Sequence, residues 1–408
     1  MSSAPRRFSQ RRRRRLFFTS LITVLLLGSG GYVFAAATAE LPEPTLSLAV
    51  EQTREFALDE APVAALVEAE SLPTAIGWGE VGAPVWSNDD GAYSIASITK
   101  LVTVLVGQET EPLGVGDDGP TYTWSVQDQQ IQNELLALNG VAFPVPVGTE
   151  MTRRQMLEMA LIPSANDFAI SYAYSIFGDQ QGFVTAVNDW ASRHGFDSLD
   201  IYEPSGMDSD NRASAADIVR IVRLVLADPV LAEIVGSESF VAPWGIGEVT
   251  TTNPLFDLMD GVVGAKTGTT DAAGYNLAGA ASGKFEGRAL TRITAVLARE
   301  SYDARAFDSV RLLEGLEPLP ATVEFVATGE PIGTLTSVDG QVVQLVTDGE
   351  ASAVLVPGET ATRTVSADAT SIAVVSPAGE TEIPVIRTSG FTEPDLWWRI
   401  TNPGLVFG

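Results

Sequence analysis

The stretch "SIASITKLVT", residues 94–103, decides how the chain is read, because it sets a lysine three places after a serine in a protein that hardly uses lysine. Of the 25 basic residues three are lysines, Lys100, Lys266 and Lys284, and 22 are arginines. A lysine kept where arginine is the default points to a task guanidinium cannot perform: a desolvated ammonium can lose its proton and act as a neutral base. Extended to "SITKLVTVLVG", the stretch reads as a buried helix beginning near Ser97, apolar nearly all round through Leu101, Val102, Val104, Leu105 and Val106. Lys100 then lies one turn after Ser97 on the same face, and the helix N-terminus favours a developing alkoxide. At an unperturbed pKa of ~10.4 only about one lysine in a thousand is neutral at pH 7. Burial and a nearby second cation, for which Lys266 is the candidate, are expected to lower it.

Just upstream, "PTAIGWGEVGAPVWSND" reads as two short strands around a Gly-rich turn. Downstream, residues 152–228 are helical in pattern, with "TRRQMLEMAL", "NDFAISYAYSIF", "QQGFVTAVNDWASRHG" and "SAADIVRIVRLVLAD" separated by Pro, Gly and Ser/Asp signals. Ser214 followed by Asp217 resembles a capping box. From 261 the period becomes strand-like in "GVVGAKTGTT", "NLAGAAS" and "LTRITAVLA", before a last helix, "ARAFDSVRLLEGL". Strands on both sides of a helical block predict an α+β fold, an antiparallel sheet covered by helices, over residues 73–316. "EPLPA", 317–321, reads as a hinge to a small all-β domain at 322–388, where alternating segments such as "QVVQLV" and "TSIAVVS" meet turns at Asp339-Gly340 and Pro377-Ala378-Gly379.

The N-terminus reads as an address. Seven arginines lie in the first 15 residues, no acidic residue precedes Glu40, and residues 16–39 carry no charge. Those 24 residues would span ~36 Å as a helix, enough for a hydrocarbon core of ~30 Å. The arginine block stays cytoplasmic by the positive-inside rule, which places the rest outside the cell membrane. The length of the apolar run favours a retained anchor; "ATA" at Ala37–Ala39, followed by "ELPEP", is the alternative, a signal peptidase site. Residues 40–72 read as an acidic, proline-containing spacer. The tail at 389–408, with "DLWWRITNPGLVFG", reads either as a membrane-interface anchor or as a segment packed on its own domain.

Beyond the leader, 18 basic residues face 52 acidic ones, which excludes nucleic acid as a natural partner and describes a solvated surface. There is no cysteine and one histidine, so disulfides, thiolate metal sites and a cysteine nucleophile are excluded and no metal or cofactor is expected. His194, in "ASRHGF", reads as a helix end capped by Gly195 and not as a catalytic base. No GxSxG elbow occurs either, which argues against an α/β-hydrolase.

Two further pieces accompany the serine-lysine pair. In "IPSANDFAISYA", Ser164 and Asn166 stand at a helix entry, where the plain alternative is an ordinary cap. In "DGVVGAKTGTTDAAGYNLAG", Lys266, Thr267, Gly268 and Thr269 end an apolar strand; the lysine and threonine could bind a carboxylate while Gly268 lets a substrate backbone lie against the strand. The plain alternative is a turn. The conjunction decides: two of three lysines occupy the two motif positions, and SxxK, SxN and KTG follow in that order.

In these motifs, and in "PSGMDSDNRASAADI" and "DAAGYNLAG", the chain closely resembles the penicillin-binding D-alanyl-D-alanine carboxypeptidases of low molecular mass, a family of serine peptidases. The resemblance covers about residues 72–316, with a looser likeness to that family's β-rich second domain. It implies the β-lactamase/penicillin-binding transpeptidase-like fold, no cofactor, and a peptidoglycan stem peptide ending in D-Ala-D-Ala as substrate, with β-lactam antibiotics as covalent inhibitors. It further implies that Ser97 attacks the carbonyl between the two D-alanines with Lys100 as base, and that backbone N–H groups of Ser97 and Thr269 hold the oxyanion. Ser164 would pass a proton to the leaving amine, Asn166 would hold Lys100 and the substrate amide, and Lys266 and Thr267 would meet the terminal carboxylate. Arg305, in "YDARAFDSVRLL", matches the family's carboxylate-binding arginine by position. Lys284, in "ASGKFEGR", reads as a solvated hairpin residue. The chain departs from the commoner form at "SAND", where glycine usually follows the serine, and at "GAKTGTT"; both keep the side chains the chemistry needs.

Three rivals remain at this level. Serine β-lactamases share the motifs, but a class A deacylating glutamate has asparagine four residues later, and the nearest candidate, Glu203, has Met207 there. A silent peptidoglycan- or β-lactam-binding protein would have lost one of Ser97, Lys100, Asn166 or Lys266. Endopeptidase or transpeptidase action uses the same residues as a carboxypeptidase.

Overall fold

The strand-like runs on either side of the helical block build one antiparallel sheet: β1 (Thr74–Trp78), β2 (Val85–Ser87), β3 (Val262–Thr270), β4 (Gly274–Phe285) and β5 (Arg288–Arg299), in spatial order β3-β4-β5-β1-β2. A computed structural model describes residues 7–408, with side chains from residue 12 onward, so Arg6 of the arginine block lies outside the described residues. The central strands read as unbroken apolar runs because both faces of the sheet are buried. On β5, Ile293, Ala295 and Leu297 join one core cluster while Leu290 and Val296 join the other; β4 alternates likewise, with Ala278 and Ala280 against Leu277 and Ala281.

Helices cover the two faces. A 3-10 turn at Ala96–Ile98 leads into α1 (Thr99–Thr110), in which every residue from Thr99 to Gln108 is buried, as its all-round apolar composition predicts. Each large aliphatic side chain so buried contributes about 1.5–3 kcal/mol. With α2 (Asn166–Phe177) and α3 (Ala215–Ala227) it forms the large cluster, and α4 (Tyr302–Leu316) closes the other face through Leu312, Leu313 and Leu316. The α+β expectation therefore holds.

Some local expectations do not. The hydroxyl of Ser214 does cap α3, accepting from the N–H of Asp217, but the reciprocal half of the capping box is missing. The Asp217 carboxylate instead accepts from the Ser198 hydroxyl and from Arg220. Nor are the arginines only a surface default: the buried Arg223 donates to the carbonyls of Trp78, Ala83 and Pro84 at 2.6–2.8 Å. The carbonyls at the end of β1 and in the turn that follows it are satisfied in this way.

The chain divides into two units, one of Ala57–Thr322 with Val354–Thr360, the other of Val323–Ala353 and Ala361–Gly408 with the described part of the first 56 residues. The second unit holds a seven-stranded sheet in the order Thr45–Leu48, Pro331–Thr336, Val342–Thr347, Gly379–Arg387, Ser371–Ser376, Thr360–Val365, Thr53–Ala57. Its two outer strands come from the segment read as a spacer, and Ala61–Glu68 of that segment is a helix whose Val63 and Val67 pack in the catalytic unit. The prolines and acids at 40–44 hid the alternation of "TLSL" and "TREFA".

Candidate active site

Three elements bring the motif residues together. Ser97 sits in the 3-10 turn before α1, and neither that turn nor α1 is capped by a side chain, so its hydroxyl is not spent on the backbone. Ala96, just before it, is held at a φ of 47°. Two glycines allow the close packing this turn requires. A Cβ on Gly268 of β3 would lie 2.4 Å from the Ile95 carbonyl oxygen, and one on Gly206 would lie 2.0 Å from that of Ala96. Gly206 also has a φ of 86°, open to glycine at no steric cost.

Lys100 is fully buried, and its Nζ lies 2.8 Å from Ser97 Oγ, 2.6 Å from Asn166 Oδ1 and 2.6 Å from the carbonyl oxygen of Ser205. The amide and peptide oxygens can only accept. In a neutral lysine they take both N–H groups and leave the lone pair facing the hydroxyl of Ser97, which then donates to it. Burial lowers the Lys100 pKa to about 7, against the opposing pull of Glu203 and Asp167. The second cation expected to produce this shift is not its cause. The repulsion acts on Lys266 instead, whose pKa falls well below the ordinary value through burial first, then Lys100 and Arg305.

Asn166 opens α2, whose N-cap is Ala165 with no side-chain bond, so the ordinary-cap alternative for Ser164 and Asn166 fails. Ser164 is buried at a φ of 67°. Beside them the buried Asp167 accepts from Gln132 Nε2 at 2.9 Å and from the N–H of Phe143 at 3.0 Å, and burial raises its pKa to about 6.

The KTG residues lie on β3, an edge strand of the sheet, with Lys266 opposite Ala278 and Gly268 opposite Asn276. The turn alternative for this motif is thereby replaced by strand. Among the described residues Lys266 Nζ bonds only the carbonyl of Thr267, at 3.2 Å, and Thr267 Oγ1 lies 2.6 Å from Thr252 Oγ1. Arg305 reaches in from α4: its Nη1 donates to Thr269 Oγ1 at 2.8 Å and lies near the carbonyls of Gly268 and Asn276 at 3.4 and 3.3 Å, while its buried Nε has no partner among the described residues. Two cations whose partners among the described residues are all neutral, in a chain of net charge −27, mark this end of β3 as a place for an anion.

Lys284 and His194 stand apart. Lys284 is exposed on the β4–β5 hairpin. His194 ends its helix with Gly195 in the left-handed region and lies 2.9 Å from Glu109.

Four participants escaped the sequence reading: the Ser205 carbonyl, Thr252, Asn276 and the organising role of Glu203. Asn276 joins β4 to the approach to Ser97, donating to the Ser94 carbonyl at 2.9 Å. The Glu203 carboxylate accepts from the Ser205 N–H and hydroxyl at 2.7 and 2.6 Å and from Asn211 Nδ2 at 3.0 Å. It is committed to the turn that presents the Ser205 carbonyl, which removes it as a water-activating base.

A helix-covered antiparallel sheet with a serine-lysine pair beside its edge strand is the arrangement of a serine peptidase. A family model described as D-alanyl-D-alanine carboxypeptidase, peptidase S11, matches residues 85–298, and the chain belongs to that family. It is 27% identical over 262 residues to the D-alanyl-D-alanine carboxypeptidase DacA of Escherichia coli K12, covering 60% of this chain and 61% of that one. To DacB2 of Mycobacterium tuberculosis it is 34% identical over 196 residues, 47% of this chain and 63% of the relative. The chain thus spans about three fifths of the length of these curated relatives. Among solved structures, the D-alanyl-D-alanine carboxypeptidase DacD of Francisella tularensis shares the fold with a TM-score of 0.57 at 17% identity, over 84% of this chain and 97% of that one.

Proposed function

We propose that the protein is a serine D-alanyl-D-alanine carboxypeptidase that removes the terminal D-alanine from peptidoglycan stem pentapeptides outside the cytoplasm, held to the membrane by its N-terminal helix. The observation that carries the reading is the buried Lys100 amine 2.8 Å from Ser97 Oγ with two obligate acceptors on its other side. The substrate's extended C-terminus adds along the free edge of β3, its carboxylate toward Lys266, Thr267, Thr269 and Arg305. Ser97 Oγ attacks the carbonyl between the D-alanines as its proton passes to Lys100. The N–H groups of Ser97 and Thr269 receive the oxyanion. Ser164 relays the proton to the departing amine, D-alanine leaves, and water hydrolyses the ester on Ser97. Asn166 keeps Lys100 oriented and meets the substrate amide. A β-lactam enters as the same acyl donor, but its leaving nitrogen stays tethered, so the ester persists. The commitment of Glu203 to its own turn supports slow deacylation and counts against a β-lactamase.

The test is release of D-alanine from a synthetic stem pentapeptide by the purified chain. Stoichiometric release that disappears in Ser97→Ala is expected; release that survives that substitution would place the chemistry elsewhere.

A further inference from the structure

The leader helix, Arg7–Thr38, ends without the devices that usually close a helix: its last turn has no basic residue, and the chain continues into "AELPEP" without a glycine. A cation arrives from the other end of the chain. Arg399, 8% exposed, donates through Nη1 to the carbonyl of Ala39 at 2.9 Å and lies 3.5 Å from that of Ala36. Its remaining bonds go to the Glu393 carboxylate at 3.0 Å and the Pro394 carbonyl at 3.4 Å. Next to it the Tyr32 hydroxyl donates to the Ile400 carbonyl at 2.6 Å, and the Tyr32 and Phe407 rings are 6.1 Å apart. Ala36 is fully buried on a helix whose neighbouring turns are largely exposed.

We infer that residues 393–408 form a clasp that closes on the exit of the uncut leader helix, so that the mature protein keeps its first 39 residues and seats both chain ends at the membrane surface. The inference rests on reading the leader as a spanning helix. Cleavage after Ala39 would remove Tyr32, Ala36 and Ala39 together, and with them the two carbonyls at Arg399 and the Tyr32 contacts to Ile400 and Phe407, leaving Arg399 to Glu393 and Pro394 alone. The sequence "ATA" also lies at the helical end, with Ala37 and Thr38 inside the helix, whereas a peptidase needs an extended strand there. The clasp is itself ordered: Asp395 caps the short helix Leu396–Thr401 by accepting from the N–H of Trp398 at 2.8 Å. Within it Trp397 is 73% exposed, and Leu396 and Leu405 are exposed as well. An indole and apolar groups beside the exit of a spanning helix match the chemistry of the headgroup boundary.

The chain has no cysteine, which makes the test clean. The full-length double variant Tyr32→Cys/Phe407→Cys, in its own membranes, is treated with a short bismaleimide and its intact mass is read. The expected product is a chain with residues 1–39 present, carrying one bridging reagent and no free thiol. Adding Arg399→Glu should abolish the bridge and give two separate adducts, while benzylpenicillin still acylates Ser97 and so reports an intact fold. A mature chain beginning at Glu40, or two separate adducts without the Arg399 change, overturns the clasp. Full-length chain washed free of the membranes by carbonate would instead overturn the spanning reading on which the clasp rests.

Discussion

The most demanding prediction concerns the charge on Lys100. Burial moves its pKa from 10.5 to about 7, a difference worth about 5 kcal/mol between the charged amine in this site and in water. About half the protein then carries a neutral Lys100 at pH 7, nearly all of it at pH 9, and about one hundredth at pH 5. Glu203 and Asp167 act on the amine, and Lys100 in turn acts on Lys266, so the profile belongs to the cluster. Stopped-flow measurement of the second-order acylation constant for benzylpenicillin between pH 5 and 9 should show a plateau above about pH 8 and a fall of about tenfold per pH unit well below 7. Stability carries the same signature. The folded pKa lies below the unfolded one, so the cost of the buried charge is present in full below about pH 7, shrinks as pH rises toward 10.5 and is gone above it. Lys100→Met should therefore abolish acylation, and its effect on the denaturation midpoint should be more favourable at pH 6 than at pH 10. An acylation constant that stays flat down to pH 5, or a Lys100→Arg variant that acylates at the parent rate, would refute the neutral-base argument.

Other expectations follow from single contacts. Asn166→Asp sets an anion where an amide oxygen now lies 2.6 Å from Nζ, and should move the acylation inflection upward by about 1–3 pH units, with activity recovering at high pH in the same profile. Lys266→Met removes a charge-assisted contact worth about 1.5–3 kcal/mol, so acylation by a carboxylate-bearing ligand should fall roughly 10- to 150-fold while that by its methyl ester changes little. Gly268→Ala drives a methyl group against the Ile95 carbonyl, and overpacking of about 1–3 kcal/mol should lower the melting temperature of the catalytic unit by several degrees in calorimetry. His194→Ala removes a half-exposed pair with Glu109, worth at most about 1 kcal/mol, and ring packing on Trp190, both away from Ser97, and should leave D-alanine release at the parent rate.

What could be read in the sequence was what side-chain identity and period encode. The Ser97–Lys100 spacing, the uniformly apolar α1 and the two-sided burial of β4 and β5 follow from helix and strand periodicities, and so the sheet-under-helices fold was legible. Lys100 and Lys266 stood out as candidates because lysine is so rare here, and Asn166 because SxN falls between SxxK and KTG. The third partner of Lys100 was not, since it is a peptide carbonyl and any residue at 205 supplies one. Nor was the source of the pKa shift: a second cation is visible as a letter, whereas full desolvation depends on how α1, α2 and the 203–206 turn close around the amine. The Ser214–Asp217 pair shows the converse, a local pattern of which tertiary partners, Ser198 and Arg220, claimed one half. At 40–57 proline and acidic composition concealed short strands that acquire meaning only from the sheet they border.

Ser97 should form the acyl-enzyme, and this can be followed in a time course of intact mass with excess benzylpenicillin, run on residues 40–408 and on the same chain carrying Ser97→Ala. One persistent penicillin adduct is expected on the parent, mapped to the peptide containing Ser97, and none on the variant. An equal adduct on Ser97→Ala, or rapid consumption of penicillin with no adduct surviving on the parent, would contradict it.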